Sequence, residues 1–164
     1  MDESNTLTPA QPATEFSLRP ATPDDFPFAW ALYSGLMRGL SQDLHLWHEK
    51  AQRALIRSTV TGGDVSIIVA DRQPVGWLQL QDDEDAIYLH QFYIAPAYQG
   101  RGIGTRLIES MLQRARTQAV PVHLWVLRNN EQARRLYQRL GFEIVEQDRR
   151  RLHLVWQDGP RPAD

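Results

Sequence analysis

The chain has 164 residues, of which 42% are hydrophobic, and its formal net charge is −2. This length suits one well-buried domain, and the near-neutral charge gives no general attraction to nucleic acid or to anionic membranes. The absence of cysteine excludes disulfides, thiolate nucleophiles and cysteine zinc sites. Because the sequence shows neither a secretory signal nor a membrane-length apolar stretch, it predicts a cytoplasmic protein.

The predicted elements form one domain over residues 16–157. Residues 1–15 are rich in Thr, Pro, Ala and Gln, which predicts a disordered leader, and residues 158–164 are expected to form a flexible tail. Hydrophobic periodicity and turn signals predict seven strands and four helices. In chain order these are a strand at Phe16–Arg19, a helix towards Met37, a helix at Asp43–Val60, strands at Val65–Ala70, Val75–Leu80 and Tyr88–Ile94, a helix at Thr105–Ala119, a strand at Val122–Leu127, a helix at Glu131–Leu140, and strands near Phe142 and at Leu152–Trp156. This order is not the strict alternation of a doubly wound sheet.

A glycine-rich turn, Gln99-Gly100-Arg101-Gly102-Ile103-Gly104, joins the strand Tyr88–Ile94 to the helix that begins near Thr105. Glycines at alternate positions allow consecutive backbone N–H groups to point at one anion. The start of the following helix adds about half of an elementary positive charge. The turn therefore predicts a phosphate-binding site, and a tight turn without a ligand is the alternative.

Two common nucleotide-binding motifs do not fit this turn. A mononucleotide P-loop needs a lysine directly after its last glycine, but Thr105 and Arg106 stand there, and the chain's single lysine is Lys50. The dinucleotide motif needs a third glycine in place of Thr105 and lies in the first strand-helix-strand unit of its domain. Neither a mononucleotide nor a dinucleotide site is therefore expected.

Two segments resemble the GCN5-related N-acetyltransferase (GNAT) family. Residues 99–104 fit the pattern Gln/Arg-x-x-Gly-x-Gly of the family's acetyl-coenzyme A (acetyl-CoA) signature, and residues 89–98 look like its central strand. Residues 126–142 are similar to the family's other common stretch, with Asn130, Ala133, Leu136-Tyr137 and Gly141-Phe142 in the same order. The resemblance extends over residues 16–156 and is strong over residues 89–142.

The resemblance implies an α/β domain with the mixed sheet of the GNAT fold, in which two strands part to admit acetyl-CoA. These are the strands Tyr88–Ile94 and Val122–Leu127, and the acceptor would enter from the other side. Backbone N–H groups near Phe92 to Ile94 would polarise the thioester carbonyl. The residues that the resemblance implies for coenzyme binding are Phe92, Tyr93, Ile94, Gln99, Gly100, Arg101, Gly102, Ile103, Gly104, Thr105, Asn130, Ala133 and Tyr137.

Tyr137 is the predicted proton donor to the departing sulfur, because the family commonly has a tyrosine in this Leu-Tyr-x-x-x-Gly-Phe context. Helical spacing places Asn130, Ala133 and Tyr137 on one face, where the small Ala133 would let the pantetheine arm pass. The alternative is structural: the Tyr137 ring packs in the core and Asn130 only caps a helix.

His90 is the predicted general base. The family often has a glutamate on the inward face of the central strand, but alternation here gives that face Tyr88, His90 and Phe92. An imidazole suits proton acceptance at neutral pH, and burial beside the cleft would keep it neutral. The alternatives are a structural histidine, or Glu84 or Asp85 acting through water.

Two further groups of side chains have weaker interpretations. His45 and His48 have helical spacing but no obvious third ligand, so no metal site is expected. The first two helices usually form the acceptor wall in this family, so four aromatic side chains are candidates for that wall. The alternative is that they pack in the core, and for Trp77 core packing is the preferred interpretation. This aromatic set is Trp30, Tyr33, Trp47 and Trp77.

The principal hypothesis is an acetyl-CoA-dependent N-acetyltransferase that acts on a primary amine of a small molecule or a peptide. A second hypothesis is a non-catalytic sensor that binds acyl-CoA, since the central strand lacks a carboxylate. A third is a phosphate-ligand-binding module unrelated to acyl transfer. No nucleic-acid or membrane partner is expected. A homodimer is possible, because dimers are frequent in the family that the sequence resembles.

Overall fold

One seven-stranded sheet with helices on both faces forms the protein, whose structure is a computed structural model that describes residues 12–159. The order of elements is the predicted one. In chain order the elements are β1 (Ser17–Pro20), a 3-10 turn (Pro23–Asp25), α1 (Phe26–Asp43), α2 (Glu49–Thr61), β2 (Val65–Ala70), β3 (Gln73–Asp82), β4 (Ile87–Ile94), a 3-10 turn (Pro96–Tyr98), α3 (Ile103–Gln118), β5 (Val122–Leu127), α4 (Glu131–Arg139), β6 (Glu143–Gln147) and β7 (Arg151–Trp156).

The sheet is mixed, as expected, and its strands are in the order β1-β2-β3-β4-β5-β7-β6. Every neighbouring pair is antiparallel except β4 and β5, which run parallel. Their pairing covers only three residue pairs and ends at Leu89 opposite Leu124. Beyond this point the two strands part, which confirms the predicted splayed sheet.

Each face of the sheet has its own hydrophobic core. On one face α3 and α4 cover residues such as Leu89, Leu124 and Leu154. On the other face α1 and α2 cover β2 and β3, and Trp77 is fully buried there. Its indole N–H donates a hydrogen bond to the Ala29 carbonyl of α1 at 3.2 Å. Trp77 is therefore a core residue, which agrees with the preferred interpretation.

Two predicted connections were wrong, the one between α1 and α2 and the one between β2 and β3. The second helix begins at Glu49 rather than Asp43, because α1 continues to Asp43 and the connection 44–48 contains His45 with a left-handed φ of 56°. The β2–β3 turn contains only Asp71 and Arg72, both with positive φ, so β3 begins at Gln73. Two central residues with positive φ form the tight turn that matches the twist of a β-hairpin. The turn is therefore two residues long, whereas the prediction gave it residues 71–74.

The division into a leader, a domain and a tail stays a prediction. Residues 1–11 and 160–164 lie outside the described residues. Within the predicted leader, the Thr14 carbonyl accepts a hydrogen bond of 2.8 Å from the Arg106 guanidinium of α3. No helix between residues 12 and 159 has both the length and the apolar character that crossing a membrane requires.

A bidentate ion pair joins β1 to the start of α1. The two carboxylate oxygens of Asp25 accept hydrogen bonds from Arg19, each at 2.8 Å, and one also accepts from the Thr22 backbone N–H at 2.8 Å. The hydrogen bonds from Arg19 are the largest cause that lowers the pKa of the Asp25 carboxyl, and burial opposes them. The pair therefore stabilises the folded state while the carboxyl is ionised.

Replacing Asp25→Asn should lower the free energy of unfolding by about 1 kcal/mol at pH 7, because Arg19 is half-exposed and water screens the pair. A carboxyl whose pKa is lower in the folded state than in the unfolded state stabilises the folded protein fully at pH values above its unfolded pKa, which is about 3.9. This advantage is lost as the pH falls through the folded pKa, so the difference between the wild type and the variant should shrink at acidic pH, below the unfolded pKa. Urea unfolding at several pH values measures it, with the exposed neighbour Asp24→Asn as the control. A difference that does not change with pH would contradict this account.

Candidate active site

A cavity of about 450 Å³ opens where β4 and β5 part. The end of α1, the start of α2 and the segment between them form one wall, the two strands form the floor, and α4 forms the opposite wall. The lining residues are Tyr33, Met37, Ser41, Leu46, His48, Ala51, Gln52, Leu55, Leu89, His90, Gln91, Phe92, Tyr93, Leu124, Trp125, Val126, Leu127, Asn130, Ala133, Tyr137 and Arg151.

Backbone groups of β4 face the gap. The Ala95 N–H donates to the Val75 carbonyl of β3 at 2.7 Å, so alternation along the strand turns the N–H groups of Phe92 and Ile94 to the opposite edge. On that edge the partner strand β5 has already diverged. The Gln99 side-chain amide donates to the Ile94 carbonyl at 2.9 Å and thereby ties the glycine-rich turn to the end of the strand.

A bulge in β4 changes the expected alternation. Gln79 of β3 pairs with Gln91, but the next residue of β3 pairs with Leu89, so His90 is an extra residue without a partner on β3. The His90 ring lies parallel to that of Tyr88 at 6.0 Å, whereas Phe92 packs into the core under α3 and α4. The expectation that Tyr88, His90 and Phe92 share one face was therefore wrong.

The expected burial of His90 was also wrong. His90 is exposed, since it follows the buried Leu89 and points to the other face of β4, and it does line the cavity. Its Nε2 atom lies 2.9 Å from the Gln81 side-chain oxygen. The geometry leaves the imidazole accessible both to solvent and to the cavity.

The last two residues of the glycine-rich turn, Ile103 and Gly104, are the first two residues of α3. Gly100 and Gly102 have φ values of 73° and 82°, a conformation that only glycine adopts freely. Gly102 is the N-cap and has no side chain to cover the first N–H groups of the helix, which have no acceptor within it. The helix begins at Ile103, two residues before the predicted start, so Ile103, Gly104 and Thr105 present these N–H groups.

Two side chains of the turn have contacts that define its shape. The Arg101 guanidinium lies 4.6 Å from the ring centre of Tyr98, so this charge stays beside the start of α3. A Cβ at Gly104 would lie 3.4 Å from the Ile94 side chain. The turn therefore sits close against the end of β4, and its free backbone donors and one guanidinium suit an anionic ligand.

The α4 wall carries the three predicted residues. Asn130, Ala133 and Tyr137 all line the cavity, as their spacing predicted. The Asn130 side chain accepts a hydrogen bond from the Ala133 N–H at 3.3 Å, so Asn130 does cap the helix. Asn130 can cap the helix and also lie beside a ligand, since it lines the cavity as well.

Tyr137 is 6% exposed and packs edge-on against Phe142, with 5.5 Å between ring centres. Burial raises the pKa of its hydroxyl, so the phenol stays neutral and able to donate a proton. Within residues 12–159 the hydroxyl has no hydrogen-bond partner. Tyr93, on the β4 side, donates its hydroxyl hydrogen to Gln91 instead, and burial raises its pKa as well.

Only one member of the predicted aromatic wall reaches the cavity. Tyr33 lines it and meets Tyr93 edge-on at 5.5 Å, whereas Trp30 and Trp47 stack beside Tyr33 outside the cavity. His48 also lines the cavity, but His45 does not. Over residues 12–159, no three side chains of the His, Cys, Asp or Glu type form a group able to hold a metal ion.

The lining residues that sequence reasoning did not single out include Trp125 and Arg151. The signal for Trp125 was present, because Val122, Leu124 and Val126 alternate as core residues and leave Trp125 on the other face. Arg151 is one of three consecutive arginines, residues 149–151, and nothing in the sequence distinguishes it from the other two. Its position became clear from pairing, since it begins β7 opposite Leu127 at the open end of β5.

The fold is that of solved N-acetyltransferases. The PaiA N-acetyltransferase of Thermoplasma acidophilum, solved in complex with coenzyme A, superimposes with a TM-score of 0.67. The alignment covers 87% of this chain and 99% of that protein at 16% sequence identity. Residues 26–142 also match the model of the Acetyltransferase (GNAT) family. The chain therefore belongs to the GNAT family, as its motifs predicted.

Two relatives are similar in sequence. An uncharacterized N-acetyltransferase of Methanocaldococcus jannaschii is 27% identical over 143 residues, which cover 80% of this chain and 62% of the relative. The spermine/spermidine N(1)-acetyltransferase of Bacillus subtilis is 34% identical over 68 residues, which cover 38% of this chain and 45% of the relative. The chain thus spans less than two thirds of the length of either relative.

Replacing Gly102→Ala should lower the free energy of unfolding by about 1–2 kcal/mol, because a left-handed φ strains any other residue. Relaxation of the turn would redirect the first N–H groups of α3, so the affinity for coenzyme A should fall as well. Urea unfolding and calorimetric titration measure the two effects.

Gly35→Ala is the matched control, since Gly35 lies exposed within α1 with open space around it. This change should raise stability by about 0.5–1 kcal/mol and leave coenzyme binding unaltered. Full coenzyme affinity in Gly102→Ala would show that the turn does not hold the ligand.

Proposed function

We propose that this protein transfers the acetyl group of acetyl-CoA to a primary amine. The observation that carries the proposal is the gap between β4 and β5, where the N–H groups of Phe92 and Ile94 face the edge that β5 has left. The uncapped start of α3 follows β4 in the chain, although the described lining of the cavity includes none of residues 99–105. Family membership supports the proposal, because relatives are named as N-acetyltransferases and a protein of the same fold was solved with coenzyme A.

The turn and its flanks would hold the donor. The N–H groups of residues 102–105 and the Arg101 guanidinium would bind the diphosphate, and Gln99 would fix the turn to β4. Asn130, Ala133 and Tyr137 would line the path of the pantetheine arm. Acetyl-CoA would supply a thioester whose carbonyl carbon bonds to the amine nitrogen as the carbon–sulfur bond breaks.

Three groups of the chain would then stabilise charge and move protons. The N–H groups of Phe92 and Ile94 would donate to the carbonyl oxygen as negative charge develops there. Tyr137, which burial keeps protonated, would give its proton to the departing sulfur and take one back from water after the products leave. His90 would accept the proton that the amine loses and release it to water, for which its exposure is an advantage.

The second candidate function is a sensor that binds acyl-CoA without transferring the acyl group. One observation favours it: none of the described residues that line the cavity is an aspartate or a glutamate, so the amine has no carboxylate base there. In this case Tyr137 and His90 would only shape the cavity.

Calorimetric titration with acetyl-CoA, coenzyme A and ATP separates these functions. Binding of both coenzymes with release of free thiol on addition of amines supports the acetyltransferase. Coenzyme binding without thiol release for any amine supports the sensor. Absence of coenzyme binding would exclude both the acetyltransferase and the sensor. Binding of ATP alone would indicate a site for a different phosphate ligand.

Tyr137→Phe should lower kcat about 100-fold, because it removes one proton donor. The dissociation constant for acetyl-CoA should change less than about twofold, since the ring remains. Thiol-release kinetics and calorimetry measure these quantities. Tyr98→Phe is the matched control: its hydroxyl donates to Asp71 outside the cavity, so kcat should persist. An unchanged kcat in Tyr137→Phe would exclude the proton-donor role.

His90→Gln tests the general base, since glutamine keeps a polar contact with Gln81 but cannot accept a proton near neutral pH. The ascending acid limb of the pH dependence of kcat/KM should shift or disappear. Wild-type and variant profiles recorded with one amine measure this. An identical limb would assign proton acceptance to water or to Glu84 or Asp85.

The cytoplasmic location and the homodimer also stay predictions.

A further inference from the structure

The cavity has an unusual charge balance for a site that is to receive an amine. Its described lining contains one full positive charge, Arg151, two imidazoles, His48 and His90, and no carboxylate. A second ammonium group on an acceptor would therefore meet no counter-charge there, and it would be repelled by Arg151.

Two acids on the elements around the cavity have partners outside it. Asp148 accepts hydrogen bonds from the backbone N–H groups of Arg150 and Arg151 at 2.6 and 2.7 Å, which holds it within the β6–β7 turn. Glu49 binds the Arg38 guanidinium at 2.9 Å and the Trp47 indole N–H at 2.8 Å. Neither acid lines the cavity.

The guanidinium of Arg151 is available. Arg151 is exposed, and across residues 12–159 no carboxylate lies within ion-pair distance of its guanidinium. In the same turn, the backbone hydrogen bonds lower the pKa of the exposed Asp148 carboxyl, and the Arg151 charge adds to this effect. It begins β7 opposite Leu127, where β5 leaves the sheet towards α4. A guanidinium in this position presents several donors to the mouth of the cavity, in the geometry that binds a carboxylate.

An apolar surface lies beside Arg151. Trp125 is 45% exposed, and its ring stacks on His153 of β7 at 4.2 Å with an angle of 7° between the planes. Leu55 of α2, which is 53% exposed, lines the opposite side of the same cavity. These exposed rings and methyl groups would gain from burial against an apolar part of a ligand.

We propose that the acceptor is a primary amine that carries one carboxylate and an apolar body, as in an apolar amino acid or a short peptide, and that it is not a polyamine. Arg151 binds the carboxylate, and Trp125 contacts the apolar body. This inference rests on the proposed function and names its substrate class. It separates this chain from the B. subtilis relative, whose name assigns it to spermine and spermidine.

The experiment compares matched acceptors. Phenylalanine and the dipeptide phenylalanyl-alanine are each compared with the corresponding C-terminal amide, and spermidine is the polyamine. We expect kcat/KM for the dipeptide acid to exceed that for its amide at least tenfold, with spermidine the poorest acceptor. Equal use of acid and amide, or a preference for spermidine, would overturn the proposal.

Arg151→Glu should lower the ratio of kcat/KM for acid and amide at least thirtyfold and should improve the use of spermidine. Arg151→Gln should give an intermediate ratio, and circular dichroism with thermal unfolding checks that both variants fold. Arg149→Glu is the matched control, because Arg149 is exposed in the same turn but does not line the cavity. Its ratio should stay within twofold of the wild type, and an unchanged ratio in Arg151→Glu would exclude Arg151.

A binding measurement keeps this inference separate from the proposed function. If no amine releases thiol, the acetyltransferase proposal fails, and calorimetric titration of the coenzyme A-loaded protein with the dipeptide acid and its amide still tests the acceptor class. Tighter binding of the acid, lost in Arg151→Glu, supports it. Equal binding, or none, overturns it.

Discussion

The end of pairing between β4 and β5 is the constraint on which the rest of the structure depends. After Leu89 and Leu124 the strands no longer share hydrogen bonds, so the edges of both strands keep free donors and acceptors inside the molecule. An unpaired buried N–H group costs about 1–3 kcal/mol, and such an edge persists only if other contacts hold the strands apart. The two cores supply these contacts, because α1 and α2 fix β3 and β4 from one face while α3 and α4 fix the other.

The bulge at His90 adjusts β4 to this arrangement. An extra residue changes the phase of the strand, so Leu89 and Phe92 both pack under α3 and α4 although they are three positions apart. The N–H groups of Phe92 and Ile94, after the bulge, are turned to the edge that β5 has left. His90 is exposed and lines the cavity.

Sequence patterns predicted the order of elements, the mixed splayed sheet, the glycine-rich turn and the shared face of Asn130, Ala133 and Tyr137. These features depend on local periodicity or on short motifs, which a single sequence displays. The bulge depends on how β4 pairs with β3, and strict alternation therefore put Phe92 on the same face as Tyr88 and His90, whereas it packs on the other.

The α1–α2 boundary was missed for a related reason. Apolar residues continue at helical spacing through the connection, so periodicity alone did not reveal the positive φ of His45. Arg151 needed the register of β7 against β5, a contact between segments that are distant in the chain.

The two halves of the cavity are built from different chemistry, and this explains why the sequence indicates one substrate better than the other. The proposed donor half uses backbone N–H groups, glycines and a helix start, whose requirements appear as a motif within residues 89–142. The proposed acceptor half uses side chains from α1, α2 and β7, which the fold requires only to be compatible with packing. Replacing Arg151 or Leu55 changes charge or shape at the mouth without altering the sheet, since both side chains are exposed. Relatives that share the motif can therefore differ in acceptor, so the charge of the lining is a better guide to the amine than the name of a relative.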